Sequence, residues 1–196
     1  MQYQDISTDT KNTYRLNKNE QVVFFLFNRT GNITIELAGL GARAHVFAFY
    51  SGKGNLEQSL TLAQKHLAPD TVSSVMVKAA LDDQSLFAYD GTISIAPQAH
   101  CSDASQESRT LLLSSDARAT VRPVLEILAH DVKCHHAATT APINAEAIFF
   151  AESRGLTKNQ ARTLFVAGFF TEAIERMEAL GIETDAREKH LSHSPI

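Results

Sequence analysis

The chain lacks most of the features that announce a familiar activity. Its 196 residues contain only two cysteines, Cys101 and Cys134, so a disulfide framework is excluded and each is predicted to be a free thiol in a reducing compartment. No block of basic residues offsets a formal net charge of −4, which argues against a surface built to hold nucleic-acid phosphates. No apolar run approaches the roughly 18 to 20 residues needed to span a bilayer, so a membrane protein is not expected. The opening residues MQYQDISTDTKNTYRLNKNEQ offer neither the basic flank nor the apolar stretch of a secretory signal, and a cytoplasmic location is predicted. A glycine-rich phosphate loop, a GxSxG turn and an HExxH helix are all missing, which removes the commonest signatures of a stand-alone enzyme.

Against those absences stands a chain of ordinary globular composition, 44% hydrophobic and 20% charged, long enough for one sizeable core. Up to about residue 142 short apolar runs alternate with turn signals: VVFFLFN (22–28), NITIELAG (32–39), AHVFAFYSG (44–52), QSLTLAQKHL (58–67), VSSVMVKAAL (72–81), LFAYDGTISIAP (86–97), RTLLLSS (109–115) and PVLEILAHDVKC (123–134). Their β-branched and aromatic enrichment predicts strands. In NITIELAG, Ile33, Ile35 and Leu37 alternate with Thr34, Glu36 and Ala38, placing one face inward and one outward. So many short strands must stack into a sandwich, a barrel or a β-solenoid, and no fixed-length repeat chooses among them.

Beyond Pro142 the period becomes helical. Asn144 is the predicted N-cap of AEAIFFAESRG and Gly155 its stop, while Thr157 and Gln160 form a capping-box pair opening a longer helix that ends at Gly181. Ala161, Leu164, Phe165, Gly168, Phe169, Ala173 and Met177 recur at three and four along it. This apolar stripe either docks on the chain's own β-region or meets a partner. The pattern divides the chain into a β-rich core, residues 1–142, and a helical region, residues 143–196, whose last segment TDAREKHLSHSPI has a short helical look and is expected to fray.

The densest group of reactive side chains is Cys134, His135 and His136. If VLEILAHDVKCHH is a strand, Cys134 and His136 share one face and His135 takes the other. A thiolate and an imidazole on one face supply two ligands to iron or zinc, but two ligands do not close a site, and no CxxC pair accompanies them. A cysteine–histidine dyad is disfavoured because adjacent strand residues point apart. Residue types alone favour a cysteine packed as a small hydrophobe beside exposed histidines. Cys101, in HCSDAS, reads as an incidental thiol, and His66, opening HLAPDT, as a structural residue serving backbone carbonyls.

An ordered series of motifs narrows these alternatives: LLLSSDA, then Pro123-x-Leu125-Glu126-Ile127, Asp131-Val132-Lys133-Cys134, His136-x-x-Thr139, Ser153-Arg154-Gly155 and the amphipathic helix. Upstream stand His66-Leu67-Ala68-Pro69-x-Thr71 with Ser73, and Asp90-Gly91-x-Ile93. From roughly residue 38 to 175 this series closely resembles the SufB/SufD family, the scaffold subunits of the SUF iron–sulfur cluster assembly machine. The long amino-terminal portion typical of that family has no counterpart here, so a reduced member is expected.

The resemblance implies a mainly β fold, a right-handed parallel β-helix with a small C-terminal α-helical domain. It implies pairing through the β-helix with a SufB-like subunit or a second copy of the chain, and binding of the SufC-type ABC ATPase through the helices. It also implies that the protein is not itself an enzyme. Phe165, Phe169, Phe170 and Ile174 become candidate partner contacts. The essential cysteine of B-type subunits falls, by ungapped placement, on Ala117, whereas the Lys-Cys-x-His pattern of D-type subunits is matched by Lys133, Cys134 and His136. The chain therefore looks D-type. His135 falls where B-type subunits carry a histidine flanked by glutamates, and Ala137 replaces the family's usual glycine. The resemblance further implies a transient iron–sulfur cluster at a subunit interface, with His136 and Cys134 as metal ligands and His135 as a further cofactor contact. Flavin binding is left open by the sequence, and a purely structural solenoid without cluster ligation is the alternative.

Overall fold

The computed structural model describes residues 1–182; the TDAREKHLSHSPI segment lies outside the described residues. Among the described residues eleven strands precede two helices. The strands are β1 (Gln2–Asp5), β2 (Thr13–Leu16), β3 (Gln21–Phe27), β4 (Gly31–Leu37), β5 (Arg43–Gly52), β6 (Glu57–His66), β7 (Val72–Leu81), β8 (Leu86–Ile95), β9 (Asp103–Leu112), β10 (Arg118–Ile127) and β11 (Lys133–Pro142). The helices are α1 (Ala145–Ser153) and α2 (Lys158–Ala179).

Odd-numbered strands form one sheet in the order β1-β3-β5-β7-β9-β11, and even-numbered strands a second in the order β10-β8-β6-β4-β2. Every pairing is parallel. The chain thus alternates between two facing sheets and advances one strand in each per coil, which defines a parallel β-solenoid of about four turns. Register shows why no repeat is visible in the sequence. Arg43 pairs with Val72, Val72 with Asp103 and Asp103 with Lys133, successive steps of 29, 31 and 30 residues. Corner loops vary by a residue or two, which blurs any fixed period while leaving the strands in register.

Inward side chains of the early coils make an apolar core around Leu16, Phe24, Leu26, Ile35, Leu62 and Val77. Its first coil is pinned by the buried Arg29, whose guanidinium donates to the Ile6 and Lys11 carbonyls at 2.9 and 2.6 Å and to the Tyr14 hydroxyl at 2.9 Å. These bonds anchor residues 6–14 across the end of the solenoid. Strands β1 and β2, QYQD and TYRL, are not foreshadowed in the sequence, because four residues are too few to show a period.

A corner defined by left-handed residues stacks from coil to coil. Asp70, Cys101 and Asp131 all have φ between 56° and 58°, and the amides of Asp70 and Cys101 donate to the His100 and Asp131 carbonyls of the next coil. This corner overturns one expectation. PVLEILAHDVKC is not a single strand: β10 stops at Ile127, residues 128–132 turn, and β11 begins at Lys133. Cys134, His135 and His136 therefore open a strand rather than end one.

Both helix starts form as their sequences dictate. Asn144 accepts from the Glu146 and Ala147 amides, and Thr157 with Gln160 completes a reciprocal capping box. Gly155 and Gly181 adopt positive φ just past the helix ends. The α2 face bearing Val166, Phe170, Ala173, Ile174 and Met177 packs on Val23, Phe25, Phe47, Phe49 and Met76, the outer side of the odd-numbered sheet. Phe170 is 0% exposed and its ring lies 5.1 Å from that of Phe49. Two of the four predicted partner contacts, Phe170 and Ile174, are thus covered by the chain's own solenoid. A helix whose apolar stripe sits opposite a sheet face already apolar buries it there. Phe165 and Phe169 are half-buried at the margins of the same packing.

Candidate functional site at the open end of the solenoid

Strands β10 and β11 close the described solenoid, and each is paired on one side only, with β8 and β9 respectively. Their outer edges carry ten residues of backbone with no strand partner among the described residues. Long unprotected edges of this kind are templates for pairing with another chain. The adjoining surface is apolar: Val124, Leu125, Ile127 and Leu128 are exposed, the last by 66%.

Alternation places the site residues. Cys134, His136, Ala138 and Thr140 of β11 stack over Ala104, Gln106, Ser108 and Thr110 of β9, which are buried inside the solenoid. Cys134 and His136 therefore point to the lumen side at the open end, and His135 to the outer face, as the period of two required. Cys134 is half-buried against Ile93, Ile95 and Ala104, and partial burial, with Asp103 nearby, pushes its thiol above the ordinary range. It can serve a metal once the ion itself displaces the proton. His136 is exposed, and no hydrogen bond to its ring is formed among the described residues. Among those residues no three His, Cys, Asp or Glu side chains gather closely enough to hold a metal. Cys134 and His136 are thus two metal-capable side chains on one face, with no third beside them among the described residues.

His135 lies apart from that pair. It continues the outer row His45, Ser74, Ser105, and borders a cavity of about 170 Å³ floored by Phe47 and Met76 and edged by Arg176. The arginine there is committed, to Glu107 at 3.1 Å and to Glu172 at 2.7 Å. Ala117 is fully buried in the main core, so the position of the B-type cysteine is a packing position here. Cys101 is exposed at the corner, its Sγ 3.6 Å from a carboxylate oxygen of Asp131; desolvation and then the Asp131 charge push its thiol up, away from reactivity. His66 is structural, but its partners are hydroxyls and not backbone carbonyls: Nδ1 and Nε2 each lie 2.8 Å from an oxygen, that of Thr71 and that of Ser73. Burial pushes its pKa down to about 4, so the ring is neutral.

Sequence reasoning missed two groups. Lys78 of β7 is buried beneath α2 and paired with Glu172 at 2.9 Å. Gln106, Ser108, Thr110 and Tyr89 line the lumen below the open end with buried polar atoms that have no protein partner among the described residues. The alternation Ala104, Gln106, Ser108, Thr110 was the available signal, hidden because its inward residues are polar.

Two unpaired terminal strand edges beside an exposed apolar surface leave this end of the solenoid open to pairing with another chain. Residues 18–169 match the SufBD core domain of the SUF system for FeS cluster assembly, and the chain belongs to that family. It is 32% identical over 106 residues to the iron–sulfur cluster assembly protein SufD of Escherichia coli, covering 54% of this chain and 25% of the relative. It is 26% identical over 150 residues to SufD of Bacillus subtilis, covering 76% and 34%. An iron–sulfur cluster assembly SufBD family protein of Synechocystis is 30% identical over 128 residues, covering 65% and 28%. The chain therefore spans about a third or less of the length of these curated relatives. No described helix is long and apolar enough to cross a membrane.

Proposed function

We propose that this chain is a non-catalytic, SufD-like scaffold subunit of a cytoplasmic SUF machine that builds an iron–sulfur cluster across its open end. The observation that carries this reading is the half-site itself: Cys134 and His136 share the inward face of β11 beside an unpaired strand edge, with no third ligand near among the described residues. A scaffold must release its cluster, and ligation divided between two subunits holds the cargo more weakly than a closed four-cysteine cage. A SufB-like subunit or a second copy of this chain would pair along the β10 and β11 edges and supply the missing ligands. His136 contributes an imidazole and Cys134 a thiolate to the cargo, while His135, on the outer face, is the weaker candidate.

The helices are the proposed contact for the SufC-type ATPase. With Phe170 and Ile174 buried, the surface left for it is the exposed apolar group Phe149, Phe150 and Leu164, at 72%, 58% and 58% exposure. The test is anaerobic co-purification with the ATPase and a SufB-like subunit. Phe149→Asp with Leu164→Asp is expected to lose the ATPase while keeping the partner scaffold. His136→Ala is expected to keep both partners and lose the cluster; full cluster formation in that variant would sink the ligand role.

A further inference from the structure

The lumen beneath the open end is built differently from the rest of the core. Most inward positions of the early coils are apolar, yet in the last buried coil the Gln106 Oε1, Ser108 Oγ, Thr110 Oγ1 and Tyr89 hydroxyl are all buried without a protein hydrogen-bond partner among the described residues. Buried polar atoms are normally paired, so a group of them without protein partners marks a place where the fold serves something other than its own stability.

Gln106 is the member set directly against the site. It is 3% exposed, lies on the inward face of β9 and pairs in register with His136 of β11, one strand spacing of about 4.8 Å away. Room for its side chain is made by Gly91 across the lumen, where a Cβ would clash with the Gln106 amide nitrogen and the Tyr89 hydroxyl. The nitrogen end of the amide is therefore turned toward Gly91 and Tyr89, leaving the carbonyl end for another donor. Of its two neighbours in the row, Val75 on one side carries no polar side-chain atom and His136 on the other carries a ring N–H.

We propose that Gln106 is the positioning residue of His136: the two side chains are not hydrogen-bonded in the structure, and a turn of the exposed His136 ring brings its lumen-facing N–H onto the buried Oε1, which has no other partner among the described residues. The other ring nitrogen is then bare and aimed out of the open end toward the cluster iron. A ligating histidine is normally oriented in this way by an acceptor on its far nitrogen, and losing that acceptor typically weakens metal affinity 10- to 100-fold. The inference rests on the reading of His136 as a ligand and adds the residue that aims it.

The experiment needs no metal. In the ¹⁵N-labelled full chain at neutral pH, a freely exposed imidazole N–H exchanges with water too fast to be seen, whereas one held by a buried acceptor persists. A ring N–H signal that vanishes in His136→Ala, and so belongs to His136, is expected in the wild type. It is expected to be lost in Gln106→Met, close in volume, and kept in Gln106→Glu, which retains the acceptor. No protected His136 N–H in the wild type, or one that survives in Gln106→Met, would overturn the proposal. Gln106→Met is expected to melt close to the wild type, since the exposed His136 ring can turn to water when its acceptor is lost; a large loss of stability together with an unchanged His136 signal would assign Gln106 a purely structural role. Iron bound by the anaerobic complex with a SufB-like subunit supplies the second readout, with a 10- to 100-fold weaker affinity expected in Gln106→Met. If His136→Ala leaves iron binding intact, the ligand reading fails, whereas intact binding in Gln106→Met alone removes only the positioning role.

Discussion

Removing Glu172 should release α2 from the solenoid far more effectively than removing the lysine it covers. Lys78 projects from β7 under the helix with 2% of its side chain exposed; it donates to Glu172 at 2.9 Å and to the Phe169 carbonyl at 2.5 Å, and lies 4.8 Å from the Phe169 ring centroid. Burial pulls its pKa down, and the hydrogen bond from Lys78 holds Glu172 below the usual carboxylate range. Arg109 and Arg176 each reach Glu172 at 2.7 Å, so this one carboxylate ties three cations together. Truncating one partner of a buried pair costs about 3–5 kcal/mol because the other charge stays buried and uncompensated; the exposure of Glu172 to solvent moves the expectation to about 3 kcal/mol.

Glu172→Ala should therefore lower the melting temperature by about 6–12 °C, at about 2–4 °C per kcal/mol for a chain of this size. Lys78→Met keeps the apolar stem and removes the charge, and should stay within about 1 kcal/mol of the wild type. The double variant should be more stable than Glu172→Ala alone, since no stranded ammonium remains. Thermal and urea melts of the full chain decide it. A lysine variant less stable than the glutamate variant, or strictly additive effects, would refute the reasoning.

Stability should also respond to pH through His66. Its folded pKa, about 4, lies below the unfolded value of about 6.5, so its contribution is complete above pH 6.5 and is lost as the pH falls from there toward 4. The full swing is about 3 kcal/mol, and urea midpoints across that range should show it in the wild type and not in His66→Gln. Gly91→Ala should cost about 1–3 kcal/mol, because the added methyl displaces the buried Gln106 and Tyr89 side chains. Arg29→Met should leave the later coils intact while amide hydrogens in residues 6–14 exchange faster, since three anchoring bonds end on that segment. A mass-spectrometric exchange profile unchanged over residues 6–14 would contradict the anchoring role.

Much of the architecture was legible before any coordinates. Strand β4 declared itself through Ile33, Ile35 and Leu37, all now buried, because a half-buried strand must alternate. Both helices declared themselves through Asn144, Thr157 and Gln160, whose side chains satisfy amides no other group can reach. Local hydrogen-bond geometry needs only neighbours in sequence. The opposite faces of His135 and His136 came from strand period alone.

Everything that depends on the step from coil to coil waited for the fold. That Cys134 and His136 begin a strand is a consequence of the Asp131 turn, which makes sense only when stacked beside Asp70 and Cys101. That Phe170 and Ile174 are buried depends on which sheet face α2 meets, and that the Lys78 ammonium is paired depends on a residue 94 positions away. The sequence by itself determined both helices, most of the longer strands with their inward and outward faces, and the family, since each is written in short-range periodicity and ordered motifs. Only the tertiary structure decided that Gln106 lies beneath His136 and that the coil bearing both ends in an open edge, because a solenoid brings together residues about 30 positions apart, and no local pattern of side chains records that distance.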